Sequence, residues 1–147
     1  DVKVADIICY NGFCSVHQLF DVEDIAFYRA KYPGILIVTH PECKPEVCDQ
    51  SDFVGSTSQI IDFVTKLPKE QKVAIGTEYN MIKRLRHDNT YVLSSSKPEC
   101  PTMNETTLED VYRTLISIQE GRFENEISIS EETRFWAHKA LYRMFEL

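Results

Sequence analysis

His40-Pro41-Glu42 sets an imidazole and a carboxylate two positions apart, with a proline restricting the backbone between them. Such a pair can serve as general acid and base, or hold a substrate through its polar groups. A solvated turn that happens to carry a His and a Glu is the plainer alternative. Gly12-Phe13-Cys14-Ser15-Val16-His17 places an imidazole three residues after a thiol. His17 can ligate a metal, touch substrate or simply be a satisfied structural residue. Gly55-Ser56-Thr57-Ser58 opens a predicted helix, so its hydroxyls and free amides can hold a carboxylate or phosphate. The same residues also make an ordinary helix cap. Cys14 and Cys100 each stand in a loop after a predicted strand, beside Gly or Pro, where a soft metal or an iron–sulfur cluster takes thiolates. A cysteine can equally be a small buried apolar residue, which is the reading for Cys48 and fits Cys9; Cys43 fits either role. His87 and His138 fall on charged helical faces and receive no role.

The elements that must position these groups alternate along the chain. Val2–Ile8 is a β-branched run ending at Asn11-Gly12, a strand and its turn. Asp21 can cap a helix to about Lys31, stopped by Pro33-Gly34, and Ile35–Val38 reads as a strand covered on both faces. The unit then repeats. A strand at Asp52–Gly55 leads to a helix from Gln59 to Lys66 with Ile60, Ile61, Phe63 and Val64 inward. A strand at Lys72–Gly76 leads to a helix near Met81–Arg86, and Tyr91–Leu93 forms another strand. The polar stretch Ser94–Glu105 is the one plausible boundary. Beyond it, Thr107 and Asp110 stand in capping-box positions for a helix to Glu120, followed by Gly121. Ile127–Ile129 reads as a last extended piece. Ser130 caps a C-terminal helix whose apolar face is Trp136, Ala137, Ala140, Leu141 and Met144. Strand, loop and helix in repetition predict a parallel sheet flanked by helices, with ligands at the carboxyl edge of the strands. The chemistry-bearing residues fall in those post-strand loops.

The 147 residues suit one domain able to bury about 68–70% of its unfolded surface. Hydrophobic residues make up 43% and charged residues 27%, an ordinary globular composition. Lys and Arg number 16 against 23 Asp and Glu, a net charge of −7 with no basic stripe, so nucleic-acid binding has no electrostatic footprint. No apolar run reaches the ~18 residues of a membrane span, and no signal-peptide pattern opens the chain. Five cysteines, an odd number with no CxxC pair, read as reduced thiols or metal ligands rather than a disulfide framework.

Taken in order, Gly12–His17, His40–Cys43, Val54–Ile61, Gly76-Thr77-Glu78 and Cys100-Pro101-Thr102-Met103-Asn104 resemble quinolinate synthase across nearly the whole chain. The resemblance implies a cytoplasmic transferase of NAD biosynthesis that condenses iminoaspartate with dihydroxyacetone phosphate to quinolinate. It implies three-layer αβα domains, each with a short parallel sheet, around a pseudo-threefold axis. A [4Fe–4S] cluster held by three cysteines sits at the centre, its fourth iron an open Lewis acid. By motif, Cys14 and Cys100 are expected as two cluster ligands, and His17, His40 and Glu42 as cavity residues. His40 and Glu42 are the candidates for proton transfer. Ser56 and Thr57 are expected to hold a substrate carboxylate or phosphate, local donors that a chain of charge −7 needs for anionic substrates.

The match covers only the second half of the family's sequence. Residues 1–16 resemble the end of a middle domain, 17–99 a third domain and 100–147 the returning part of the first. The missing N-terminal half is expected to supply the third cluster cysteine and to cover Trp136, Leu141 and Met144, so this chain alone is expected to be inactive. Cys9 offers a third thiolate in principle, but the family has no ligand there. Two other classes compete: a non-catalytic half-protein that binds a partner through its uncovered faces, and an anion-binding α/β module using Ser56, Thr57 and His40 without iron.

Overall fold

The runs Ile35–Val38 and Val73–Gly76 are apolar without interruption, as suits the two central strands of a sheet covered on both sides. The computed structural model describes residues 12–85 and 88–146. The predicted first strand at residues 2–8, Cys9, Arg86, His87 and Leu147 lie outside the described residues. Contacts divide the chain into two units, Asp1–Asn104 and Glu105–Leu147.

In the first unit four parallel strands stand in the order β2-β1-β3-β4, with β1 at Leu36–Thr39, β2 at Phe53–Val54, β3 at Val73–Gly76 and β4 at Thr90–Val92. Side chains alternate across this sheet, as strand geometry requires. Ile37 and Ala74 face one side, where they pack with Phe20 and Ile25 around helix α1 (Val22–Lys31) and with Val47 of α2 (Pro45–Asp49). Val38, Val73 and Ile75 face the other, packing with Ile60 and Val64 of α3 (Thr57–Thr65) and Ile82 of α4 (Tyr79–Arg84). Helix, sheet and helix make the three-layer αβα arrangement.

Local chemistry starts and stops these helices. Asp21 and Asp24 form a reciprocal capping box on α1, and Ser56 with Gln59 forms another on α3. After α1 the chain turns at Gly34, whose φ of 81° lies in the left-handed region that glycine tolerates. The side chain of Asp52 accepts from the Ile37 N–H at 2.7 Å and from Arg29 at 3.3 Å, joining α1 to the sheet.

Some expectations change. Helix α3 begins at Thr57, two residues before the expected Gln59, because Ser56 caps it. Ile61, expected inward, is 40% exposed, while Ile60 and Val64 are buried and Phe63 packs at the side on Phe53 of β2. Helix α2 was not foreseen, since five residues are too few to display a period.

In the second unit, α5 spans Leu108–Gln119 with the Thr107–Asp110 capping box at its start and Gly121 beyond its end, and α6 spans Glu131–Phe145 with the Ser130 hydroxyl accepting from the Thr133 N–H. Ile127–Ile129 joins no strand. None of the described residues of α6 is buried, and the face expected to be apolar, with Trp136, Leu141 and Met144, is more than half exposed. No helix among the described residues is long and apolar enough to cross a membrane.

Phe20 is the largest fully buried side chain between α1 and the sheet. Phe20→Ala is expected to cost about 3–5 kcal/mol of stability, because the ring's cavity is walled by strand residues that cannot collapse into it. The check is denaturant unfolding: a lower midpoint at unchanged slope is expected, and an unchanged midpoint would refute it.

Candidate functional site at the carboxyl edge of the sheet

The register pairs Thr39 with both Val54 and Gly76, so β1, β2 and β3 end at one level and their loops leave from one edge. The His40 N–H donates to the Gly76 carbonyl at 3.1 Å, and the Gly55 N–H to the Thr39 carbonyl at the same distance. At Gly76 a Cβ would lie 3.0 Å from Thr39 Cγ2 and 3.3 Å from Leu93, so the close approach of the strand ends favours glycine there.

Onto this edge folds the segment before α1. Buried Val16 and Phe20 anchor it, and a single 3₁₀ turn at His17–Leu19 lies between them, held by Gln18 N–H to the Cys14 carbonyl. His17 is thereby placed indoors, 7% exposed. Its ring stacks on that of His40 with centroids 4.3 Å apart and planes 6° from parallel. Nε2 lies 3.1 Å from the Thr77 hydroxyl. Nδ1 lies 3.0 Å from Glu42 Oε2, an ion-pair contact too far off axis to count as an aligned hydrogen bond. Burial lowers the His17 pKa from its ordinary value and the neighbouring His40 adds to the effect, while Glu42 partly offsets both.

Glu42 stands at the Nδ1 edges of the two stacked imidazoles. Its Oε2 is 3.5 Å from His40 Nδ1, which also accepts from the Glu42 backbone N–H at 3.3 Å, and its carbonyl accepts from Gln18. An open cavity of about 650 Å³ is lined by Gly12, Phe13, Cys14, Gln18 and Glu42. Ligand atoms of Cys14, His17 and Glu42 all lie within 4.8 Å of one another, a group that could hold a metal. Sequence reasoning named these residues; the structure brings His17, His40, Glu42 and Cys14 together.

Cys100 begins a turn closed by Asn104 N–H to its own carbonyl at 3.1 Å. Asn80 bridges that turn to the loop after β3, donating to Asn104 Oδ1 at 3.1 Å and to Glu78 Oε1 at 3.0 Å, and Tyr79 N–H reaches the Pro98 carbonyl. The Thr102 hydroxyl, 3.2 Å from the sulfur, holds the Cys100 thiol below its usual pKa, helped by the Met103 and Thr102 backbone amides. Cys43 contrasts: it is buried, donates to the Gly76 carbonyl at 3.4 Å, and burial with Cys48 nearby pushes its pKa up to about 12. Iodoacetamide at mildly alkaline pH is therefore expected to modify Cys100 of the metal-free protein well before Cys43, since only thiolates attack. Peptide mapping over time checks this, and equal rates would contradict it.

Ser56 and Thr57 stand at the start of α3 on the same edge, but Ser56 is engaged in its capping box and its Oγ lies 3.3 Å from that of Ser58. Among the described hydrogen bonds none joins either residue to the histidines. His138 stacks on Tyr142 within α6 and takes no part. Sequence reasoning gave Thr77 and Glu78 no role, although both are polar and buried. The signal was present in Gly76-Thr77-Glu78, two polar side chains directly after an apolar strand.

Comparison with known proteins places this arrangement. Residues 1–146 match the family model described as NadA, quinolinate synthetase A protein. A quinolinate synthase of Helicobacter pylori (strain HPAG1) is 55% identical over 151 residues, covering all of this chain and 45% of that protein. Quinolinate synthases of Acidobacterium capsulatum and Geobacillus kaustophilus are 38% and 36% identical, over 99% and 100% of this chain and 41% of each relative. The chain thus spans less than half the length of these relatives.

Proposed function

This chain belongs to the quinolinate synthetase A family, and from that premise we propose that the protein it forms part of is a cytoplasmic quinolinate synthase. Its substrates are iminoaspartate and dihydroxyacetone phosphate. The observation that carries this reading is Glu42 facing the Nδ1 edges of two stacked imidazoles beside the Cys14 thiol at one sheet edge.

The residues present suit a [4Fe–4S] cluster. Cys14 stands beside the cavity, and Cys100 sits in a turn whose hydrogen bonds favour thiolate, the form that binds iron. Cys14 and Cys100 would hold two irons, with the third thiolate supplied from outside this chain. When bound, the group supplies a Lewis acid for the dehydration steps. The chain's own residues do the rest. The His40 Nδ1 lone pair is occupied by the Glu42 amide, so its Nε2 carries the proton and can donate it. Glu42, with a half-exposed carboxylate, accepts protons from substrate. His17, buried behind the cavity lining, sits against the carboxylate of Glu42. Ser56 and Thr57, at a helix amino terminus, hold a carboxylate or phosphate.

The domain reading follows the same proposal: residues 1–16 end a middle domain, 17–99 form a third, and 100–147 belong to the first. The exposed apolar side chains of α5 and α6, such as Leu115 and Trp136, would be covered by the N-terminal half, the partner this chain lacks. The test is anaerobic purification of the full-length protein, with iron and sulfide analysis, EPR and assay of quinolinate formation. Stoichiometric cluster with product is expected. A colourless protein that binds inorganic phosphate by calorimetry yet makes no product would replace this reading with an anion-binding module.

A further inference from the structure

We propose that Thr77 is a positioning residue whose hydroxyl fixes His17 as its Nδ1–H tautomer, keeping the hydrogen on the ring edge beside Glu42. The inference rests on the reading of His17 and Glu42 as site residues, and it adds a group that determines their geometry.

The argument is an account of protons. A carboxylate attracts a polar N–H and repels a lone pair, so the His17 Nδ1, 3.0 Å from Glu42 Oε2 though off the hydrogen-bond axis and without another donor beside it, favours carrying the hydrogen. A neutral imidazole has one N–H, which leaves Nε2 as an acceptor. Its partner at 3.1 Å is the Thr77 Oγ1, which must then be the donor. Thr77 is 2% exposed and His17 7%, so water is poorly placed to substitute for either. Position is secured through the backbone, because Thr77 follows Gly76, the β3 residue whose carbonyl accepts from His40. The stacked neighbour has the opposite tautomer: His40 Nδ1 accepts from the Glu42 amide, so its N–H is at Nε2. Two parallel rings thus present different N–H groups to one site, and Thr77 is what distinguishes His17 from His40.

The test uses full-length protein, labelled with ¹⁵N at histidine and prepared without iron so that ring nitrogens stay observable. Loss of one signal set in His17→Gln assigns the resonances. The wild type is expected to show a protonated Nδ1 and an unprotonated, hydrogen-bonded Nε2 for His17. Thr77→Val, which keeps shape and removes the donor, is expected to give mixed tautomers, and Thr77→Ser to restore the single one. In the iron-loaded enzyme the valine variant is expected to lose about tenfold in kcat/KM, the worth of one buried hydrogen bond, with serine rescuing it. A protonated Nε2 in the wild type, or an unchanged tautomer in the valine variant, overturns the proposal. Should Thr77→Val fail to fold, the wild-type spectrum and the serine variant decide it. Full activity in His17→Gln would instead overturn the site reading, a separate outcome because the tautomer is read without turnover.

Discussion

Replacing Cys14 or Cys100 by Ala in the full-length protein is expected to remove the iron–sulfur cluster and to lower quinolinate formation by about 10³-fold or more. The magnitude follows from the chemistry lost: a Lewis acid is worth several kcal/mol of charge stabilisation, and each 1.36 kcal/mol is tenfold in rate. The two positions should act alike although they are 86 residues apart in sequence. Cys14 lines the open cavity, and Cys100 is held in a turn tied by Asn80 to the loop after β3. Both are only partly buried, so the alanine variants should fold normally. Iron analysis, EPR and circular dichroism on each variant check the prediction. Should both single variants keep cluster and activity, the ligand assignment fails.

Glu42→Gln is expected to lower kcat by about 10²–10⁴-fold, the usual worth of a positioned acid or base. The substitution keeps size and shape and removes only charge and basicity. Its carboxylate is 57% exposed, so little stability should depend on it. The carboxylate is also the shared partner of His17 Nδ1 and His40 Nδ1, so the neutral amide weakens the electrostatic tie between the rings while leaving their stack in place. KM should change less than kcat. An unchanged kcat would remove Glu42 from the chemistry and leave His40 to be tested by His40→Gln.

The layers were legible because their causes are local. Ile35–Val38 and Val73–Gly76 announce central strands by being apolar throughout, and the caps at Asp21, Ser56, Thr107 and Ser130 mark helix starts through contacts three residues away. The failures were local too: α2 was too short to show a period, and Ile127–Ile129 looked like a strand on composition while finding no neighbouring strand.

The sequence by itself singled out residues of types able to carry chemistry and the expectation that they stand in loops after strands, since the alternation of strand and helix places such loops at one sheet edge. It also determined that α6 has a stripe rich in aromatic and aliphatic residues. Only the tertiary structure decided which of these side chains meet. His17 and His40 are 23 positions apart, and Thr77 is 60 from His17. Their meeting depends on Thr39 standing opposite Gly76, and a slip of one residue would turn each strand's side chains to the other face of the sheet. Likewise Cys43 and Cys100 are the same residue type in similar loops, yet one is buried with its thiol held protonated and the other lies in a turn of donors that favour thiolate. Residue type supplies the chemistry available, and burial and hydrogen-bond partners, set by long-range packing, select the protonation state in which it is used.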